Sequence, residues 1–184
     1  MARTSRDTWL DDGLSLLQQS GIDYVRIDTL CKRLNMTKGS FYHHFKNHQT
    51  FLEALLEHWE NKYTSQFIDY AEKGNTPIEK IERLNEIALN TENDPEVHIR
   101  AWAITDKLAE ETVNRVDQRR MNYLIKLYTA LGLSDSDALM MSRTIYSILI
   151  GAQYLPKLLH QRDVLEMFNF ITSLRFNSTS GDKT

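Results

Sequence analysis

Thr37, Lys38, Gly39, Ser40, Tyr42, His43, His44, Lys46 and His48 fall within twelve consecutive residues, and Arg26 stands eleven positions before the first of them. Ammonium, guanidinium, hydroxyl and imidazole groups are donors suited to phosphate oxygens and, where the side chain reaches, to the edges of bases. Gly39 among them lets the backbone approach closely to whatever is bound. Other chemistry fits these residues less well. His44 and His48 are four apart, the spacing of two metal ligands on one helical face, but Lys46-Asn47 between them breaks the helix that would align them. There is no Gly-rich phosphate loop and no His-Glu-x-x-His, and acidic runs such as Glu110-Glu111 read as solvated helix faces. Cys31 has no partner for a bridge and sits among apolar neighbours at helical spacing, which predicts a buried thiol. The expectation is a binding protein with no catalytic residues, no metal and no cofactor. A helical protein-interaction module is the alternative, and it gives no reason for the outward Gly39, Ser40, His43 and His44.

The elements that must position these groups are legible in the spacing of apolar residues. Trp9, Leu10, Gly13, Leu14 and Leu17 recur at helical spacing until Ser20-Gly21, a C-terminal stop. Ile27, Leu30, Cys31 and Leu34 form one stripe on a short second helix. Asn35-Met36-Thr37 then interrupts the period, because Asn tolerates the left-handed conformation that ends a helix and Thr37 is a good N-cap for the next. That next helix, 38–45, hides Phe41 and Phe45 and turns the polar residues outward. Two short helices across a tight turn make a helix-turn-helix, whose second helix enters the major groove of DNA.

After Asn47 a single long helix is predicted to about Lys73, striped by Leu52, Leu55, Leu56, Trp59, Tyr63, Phe67 and Tyr70. Thr76-Pro77-Ile78-Glu79 and Asp94-Pro95 each open a further helix, and a stripe over 110–131 stops at Gly132. Over 137–159 apolar residues cover nearly the whole circumference, and 164–176 carries another broad stripe. Burying both against a second copy, through Ile145, Ile148, Leu149, Ala152, Leu155, Phe168 and Ile171, is the economical arrangement. No segment alternates as a strand does. The fold class is therefore all-α, with about nine helices. A three-helix helix-turn-helix domain spans 1–50 (motif 26–45), a long fourth helix leads into a C-terminal helical bundle over 51–176, and a polar, disordered tail covers 177–184.

Composition narrows the class. Of 184 residues, 41% are hydrophobic and 26% charged, which fits a globular chain rather than a disordered or membrane-embedded one. The first residues carry charge but no apolar run, so no signal peptide is expected and the cytoplasm is the expected location. The uncharged stretch between Arg143 and Lys157 is too short to span a bilayer. A net charge of −3 argues against nucleic acid, yet the first fifty residues hold seven Lys/Arg against five acids. A weakly basic head on an acidic body is the distribution of a DNA-contacting module joined to a solvated one.

The run from Gly21 through Phe45, followed by Phe51-Leu52, resembles the signature of TetR-type transcriptional regulators, and the resemblance extends over residues 8–56. Its most specific part is Thr37-Lys-Gly-Ser-Phe-Tyr-His-His-Phe; the rest of the chain adds only its helical pattern and Arg100-Ala-Trp-Ala. The resemblance implies a homodimer on double-stranded operator DNA, repressing as a rule and released by a small-molecule effector. It implies DNA contacts by Arg26, Thr37, Lys38, Gly39, Ser40, Tyr42, His43, His44, Lys46 and His48. Trp59, Tyr63, Phe67, Trp102, Tyr123 and Tyr146 are the aromatic candidates for an effector pocket. Five positions depart from the family pattern: His48 stands where Lys is common, Val25-Arg26 where Thr-Ser is usual, Asn35 in place of the turn glycine, and Gly13 in place of a helix alanine at a cost of about 1 kcal/mol.

Overall fold

The structure, a computed structural model, describes residues 5–91 and 94–178. Its elements are α1 (Arg6–Ser20), a 3-10 turn (Ile22–Tyr24), α2 (Ile27–Arg33), α3 (Lys38–His44), α4 (His48–Glu60), a π turn (Asn61–Ser65), α5 (Gln66–Ala71), α6 (Pro77–Asn90), α7 (Glu96–Ala103), α8 (Lys107–Ala130), α9 (Asp135–Gln153) and α10 (Gln161–Ser178). With α4, the π turn and α5 taken as one continuous helix, the described residues form nine helices and no strand, as the periodicity requires.

Local chemistry sets most boundaries. The Asn47 side chain accepts from Thr50 N while the Thr50 hydroxyl takes the Asn47 N–H, a reciprocal cap for α4. Ser134 caps α9 through Asp137 N. Gly21 and Gly132 take positive φ, 85° and 89°, at the ends of α1 and α8. Two expectations need correction. The helix predicted through 159 stops at Gln153, because Pro156 removes a backbone donor and disfavours helical geometry at Leu155 before it. The long fourth helix is not uniformly α: Gln66 N–H bonds Asn61 O, a five-residue interval, and the widened turn buries the adjacent Tyr63 and Thr64 together. At the C-terminus α10 runs through Asn177 to Ser178, and the rest of the expected tail, 179–184, lies outside the described residues.

The chain divides into two compact units. The first comprises the residues up to Phe67 together with Thr91–Arg119, and the second Ile68–Asn90 with everything from Arg120 onward. In the first, Trp9, Leu17, Leu30, Phe41, Phe51 and Trp59 share one core with Ile99, Trp102, Val113 and Val116, which is why α7 and the start of α8 group with the head. Asp12 of α1 accepts Arg33 Nε at 2.9 Å. Asp11 accepts His58 Nε2 at 3.0 Å and Lys62 Nζ at 2.8 Å. Burial pushes the Asp11 carboxyl up, but these two partners together hold it below its ordinary value. Arg100 joins Glu96, almost fully buried, to Asp117. In the second unit, Leu124, Tyr128, Met141, Ile145 and Phe168 form the core, and Glu72 pairs with both Lys80 and Lys126. No helix among the described residues is long and apolar enough to cross a membrane.

Candidate nucleic-acid interface

The interface is built on α2, α3 and the turn between them. Met36 N–H bonds Cys31 O at 2.8 Å, closing the end of α2, and Asn35 takes φ 52°, the left-handed conformation expected of it. Thr37 then caps α3 by accepting from Ser40 N at 3.2 Å. One face of α3 is held by aromatic packing: Phe41 has no exposed surface and lies 5.5 Å from the Trp9 ring, 5.2 Å from Phe45 and 5.4 Å from Phe51. Anchoring Phe41 and Phe45 fixes the rotation of this short helix, so Lys38, Gly39, Tyr42 and His43 are exposed, and Ser40 and His44 half-buried. Lys46 is exposed just beyond the helix. Cys31 is buried as expected, and burial, followed by the Asp28 charge, pushes its thiol up.

Arg26, Ile27, Asp28, Lys38, Tyr42 and His48 line an open recess of about 250 Å³ on this face. Arg26 does not cap α2 with its side chain; its Nε donates to Asp23 O at 2.6 Å, which fixes the guanidinium while leaving its charge uncompensated by that bond. His48 Nε2 lies 2.6 Å from Val25 O, so the ring donates there and braces the start of α4 against the loop before α2. Lys38 Nζ lies 2.7 Å from Asp28 Oδ1, and the Asp28 carboxylate raises the lysine above its ordinary value. Asp28 is the residue the sequence reading missed. Its place on the same face as Lys38 follows from how α2 packs against α3, which the period of either helix alone does not reveal.

The six aromatic residues expected of a pocket are distributed between the units. Trp59, Tyr63 and Trp102 are buried in the core of the first, with Phe67 packed against it; Tyr123 and Tyr146 are buried in the second. Burial pushes the Tyr63 hydroxyl up to about 12, with Asp94 and Asp11 adding to it. Among the residues expected at a dimer interface, Ile145, Ala152 and Phe168 are buried within their own unit, Ile148, Leu149 and Ile171 are half-buried, and Leu155 is exposed.

Residues 10–55, which hold the whole of this interface, match the family model for bacterial regulatory proteins, tetR family. Over this segment, about a quarter of its length, the chain is similar to TetR-family regulators. The transcriptional regulator AcuR of Cereibacter sphaeroides is 37% identical over 59 residues, covering 32% of this chain and 26% of the relative. The class D tetracycline repressor protein of Escherichia coli is 36% identical over 55 residues, covering 30% and 25%. The matched segment spans about a quarter of the length of these curated relatives. Beyond the head, likeness is one of fold: a TetR transcriptional regulator structure from Legionella pneumophila superposes with a TM-score of 0.77 at 17% identity, over 95% of this chain and 99% of that one. The α3 face, the Phe41, Phe45 and Phe51 rings beneath it and the capped turn thus all lie within the matched segment.

Proposed function

We propose that the chain is a sequence-specific DNA-binding regulator, a cytoplasmic repressor that holds operator DNA as a homodimer and is released by a small-molecule effector. The observation that carries this reading is the α3 face: Phe41 and Phe45 lock the helix from beneath, and Lys38, Gly39, Ser40, Tyr42 and His43 stand on its other side next to Arg26 and His48. Lys38, Arg26, Lys46 and the Tyr42 hydroxyl suit phosphate oxygens, and Ser40 and His43 suit base edges, with Thr37, His44 and His48 positioning or flanking them. Repression is supported by the names of the tetracycline repressor relatives. Dimerisation through α9 and α10 is supported by apolar side chains left on the surface of the second unit: Leu155 is 46% exposed, Leu158 70%, Leu165 40% and Phe170 62%. For the effector the candidates remain Trp59, Tyr63, Phe67, Trp102, Tyr123 and Tyr146, whose apolar rings would favour an apolar or aromatic compound.

The test is binding of the purified protein to fragments of its own upstream region across a salt titration, beside Lys38→Ala and Tyr42→Ala. Selective binding is expected, weakened in both variants, with Lys38→Ala reducing the salt slope by about one. An intact dimer that binds no fragment overturns the reading in favour of a helical interaction module.

A further inference from the structure

Within the recess beside α3, the three basic groups are held in different ways. Arg26 and His48 are each tied to a backbone carbonyl, which is neutral. Lys38 is tied to Asp28, the one carboxylate among the six lining residues. Both partners of this pair are open to solvent, with side-chain exposures of 61% for Lys38 and 66% for Asp28, so the pair does little for folding. An acid in the first turn of α2 is helped by the helix dipole, but that explains a preference for charge and not the contact with Lys38.

We infer that Asp28 is an intramolecular competitor of the DNA backbone, occupying Lys38 in the free protein and weakening the hold of this recess on phosphate. This rests on the DNA-binding reading above. A phosphate arriving at Arg26, Tyr42 and Lys38 must displace the carboxylate from Lys38 and then tolerate its negative charge nearby. Both effects act on any DNA, whatever its sequence, so Asp28 lowers non-specific affinity and leaves base reading to carry a larger share of the total. Turning the acid into its amide keeps the shape of the recess and raises its formal charge by one.

The experiment measures binding to a mixed-sequence duplex by fluorescence anisotropy at several salt concentrations, for the full chain and for Asp28→Asn, Asp28→Glu, Lys38→Ala and the Asp28→Asn/Lys38→Ala double variant. Asp28→Asn is expected to bind about 5-fold more tightly per head at low salt, release of the exposed ion pair and loss of the carboxylate's repulsion acting together. Asp28→Glu, which keeps the charge, stays near the unaltered protein. On the Lys38→Ala background the gain falls to about 2-fold, the remainder being carboxylate–phosphate repulsion across roughly 8 Å of water. Tryptophan fluorescence verifies that each variant is folded. An Asp28→Asn protein that binds no more tightly, or gains as much without Lys38, overturns the competitor role while the DNA-binding reading stands. A full chain that binds no duplex at any salt overturns both.

Discussion

Replacing Gly13 by alanine sets two effects of opposite sign against each other. Helix propensity alone predicts a gain of about 1 kcal/mol, since Gly13 lies inside α1. A Cβ at that position would sit 2.8 Å from Phe51 Cζ and 2.9 Å from Leu55 Cδ1. Carbon pairs prefer about 3.5–4.0 Å, so each neighbour must retreat by roughly 0.7 Å. Neither has room: both side chains are fully buried, and the Phe51 ring is held 5.4 Å from Phe41 and 5.0 Å from Phe45. Overpacking of this kind costs about 1–3 kcal/mol, which outweighs propensity and leaves Gly13→Ala destabilised by roughly 1 kcal/mol. Urea unfolding followed by tryptophan fluorescence reads the right region, because all three tryptophans, Trp9, Trp59 and Trp102, lie in the core of the first unit. The midpoint is expected to fall at unchanged slope. Adding Leu55→Ala should cost less on the Gly13→Ala background than alone, since the cavity and the new methyl compensate. A midpoint that rises for Gly13→Ala would refute the steric argument and leave propensity in control.

Thr37→Ala removes the acceptor for Ser40 N and should lower the stability of the first unit by about 1 kcal/mol, with DNA affinity falling in parallel; equal unfolding midpoints would count against the cap. In the second unit, Lys80 and Lys126 hold Glu72 at about 2 against an ordinary 4.5. A carboxyl depressed on folding contributes stability that is present above about 4.5 and is lost as pH falls towards 2. Glu72→Gln should therefore flatten the acid limb of the helical circular-dichroism signal over that window, and an unchanged limb would show that solvent screens the pair.

The helix-turn-helix was readable because each of its parts is encoded locally: Asn35 for the left-handed turn, Thr37 for the cap, Phe41 and Phe45 for the buried face. What escaped was carried by packing between elements. Gly13 looked like a defect in α1 until Phe51 and Leu55 were seen to fill its missing side chain. Asp28 and Arg33 acquire their partners, Lys38 and Asp12, only through the packing of α2 against α3 and α1. Pro156 was visible in the sequence, but the continuous apolar pattern on either side concealed its effect on α9. The grouping of α7 with the head rests on contacts such as Ile99 and Trp102 with the core around Trp59, which no spacing within one helix can announce.

The π turn at Asn61–Ser65 gives the fourth helix the character of a dial. An i to i+5 ring holds one residue more than an α turn, so a deletion of one residue there would restore uniform α geometry. Each residue of an α-helix advances about 100°, so an indel elsewhere in the rod swings all later side chains round its axis. Within the turn one residue can be lost while Gln66 and Phe67 keep their bearing. The segment therefore sets phase as well as length: a shuffle of single residues that would scramble any other part of this helix can be absorbed at one place.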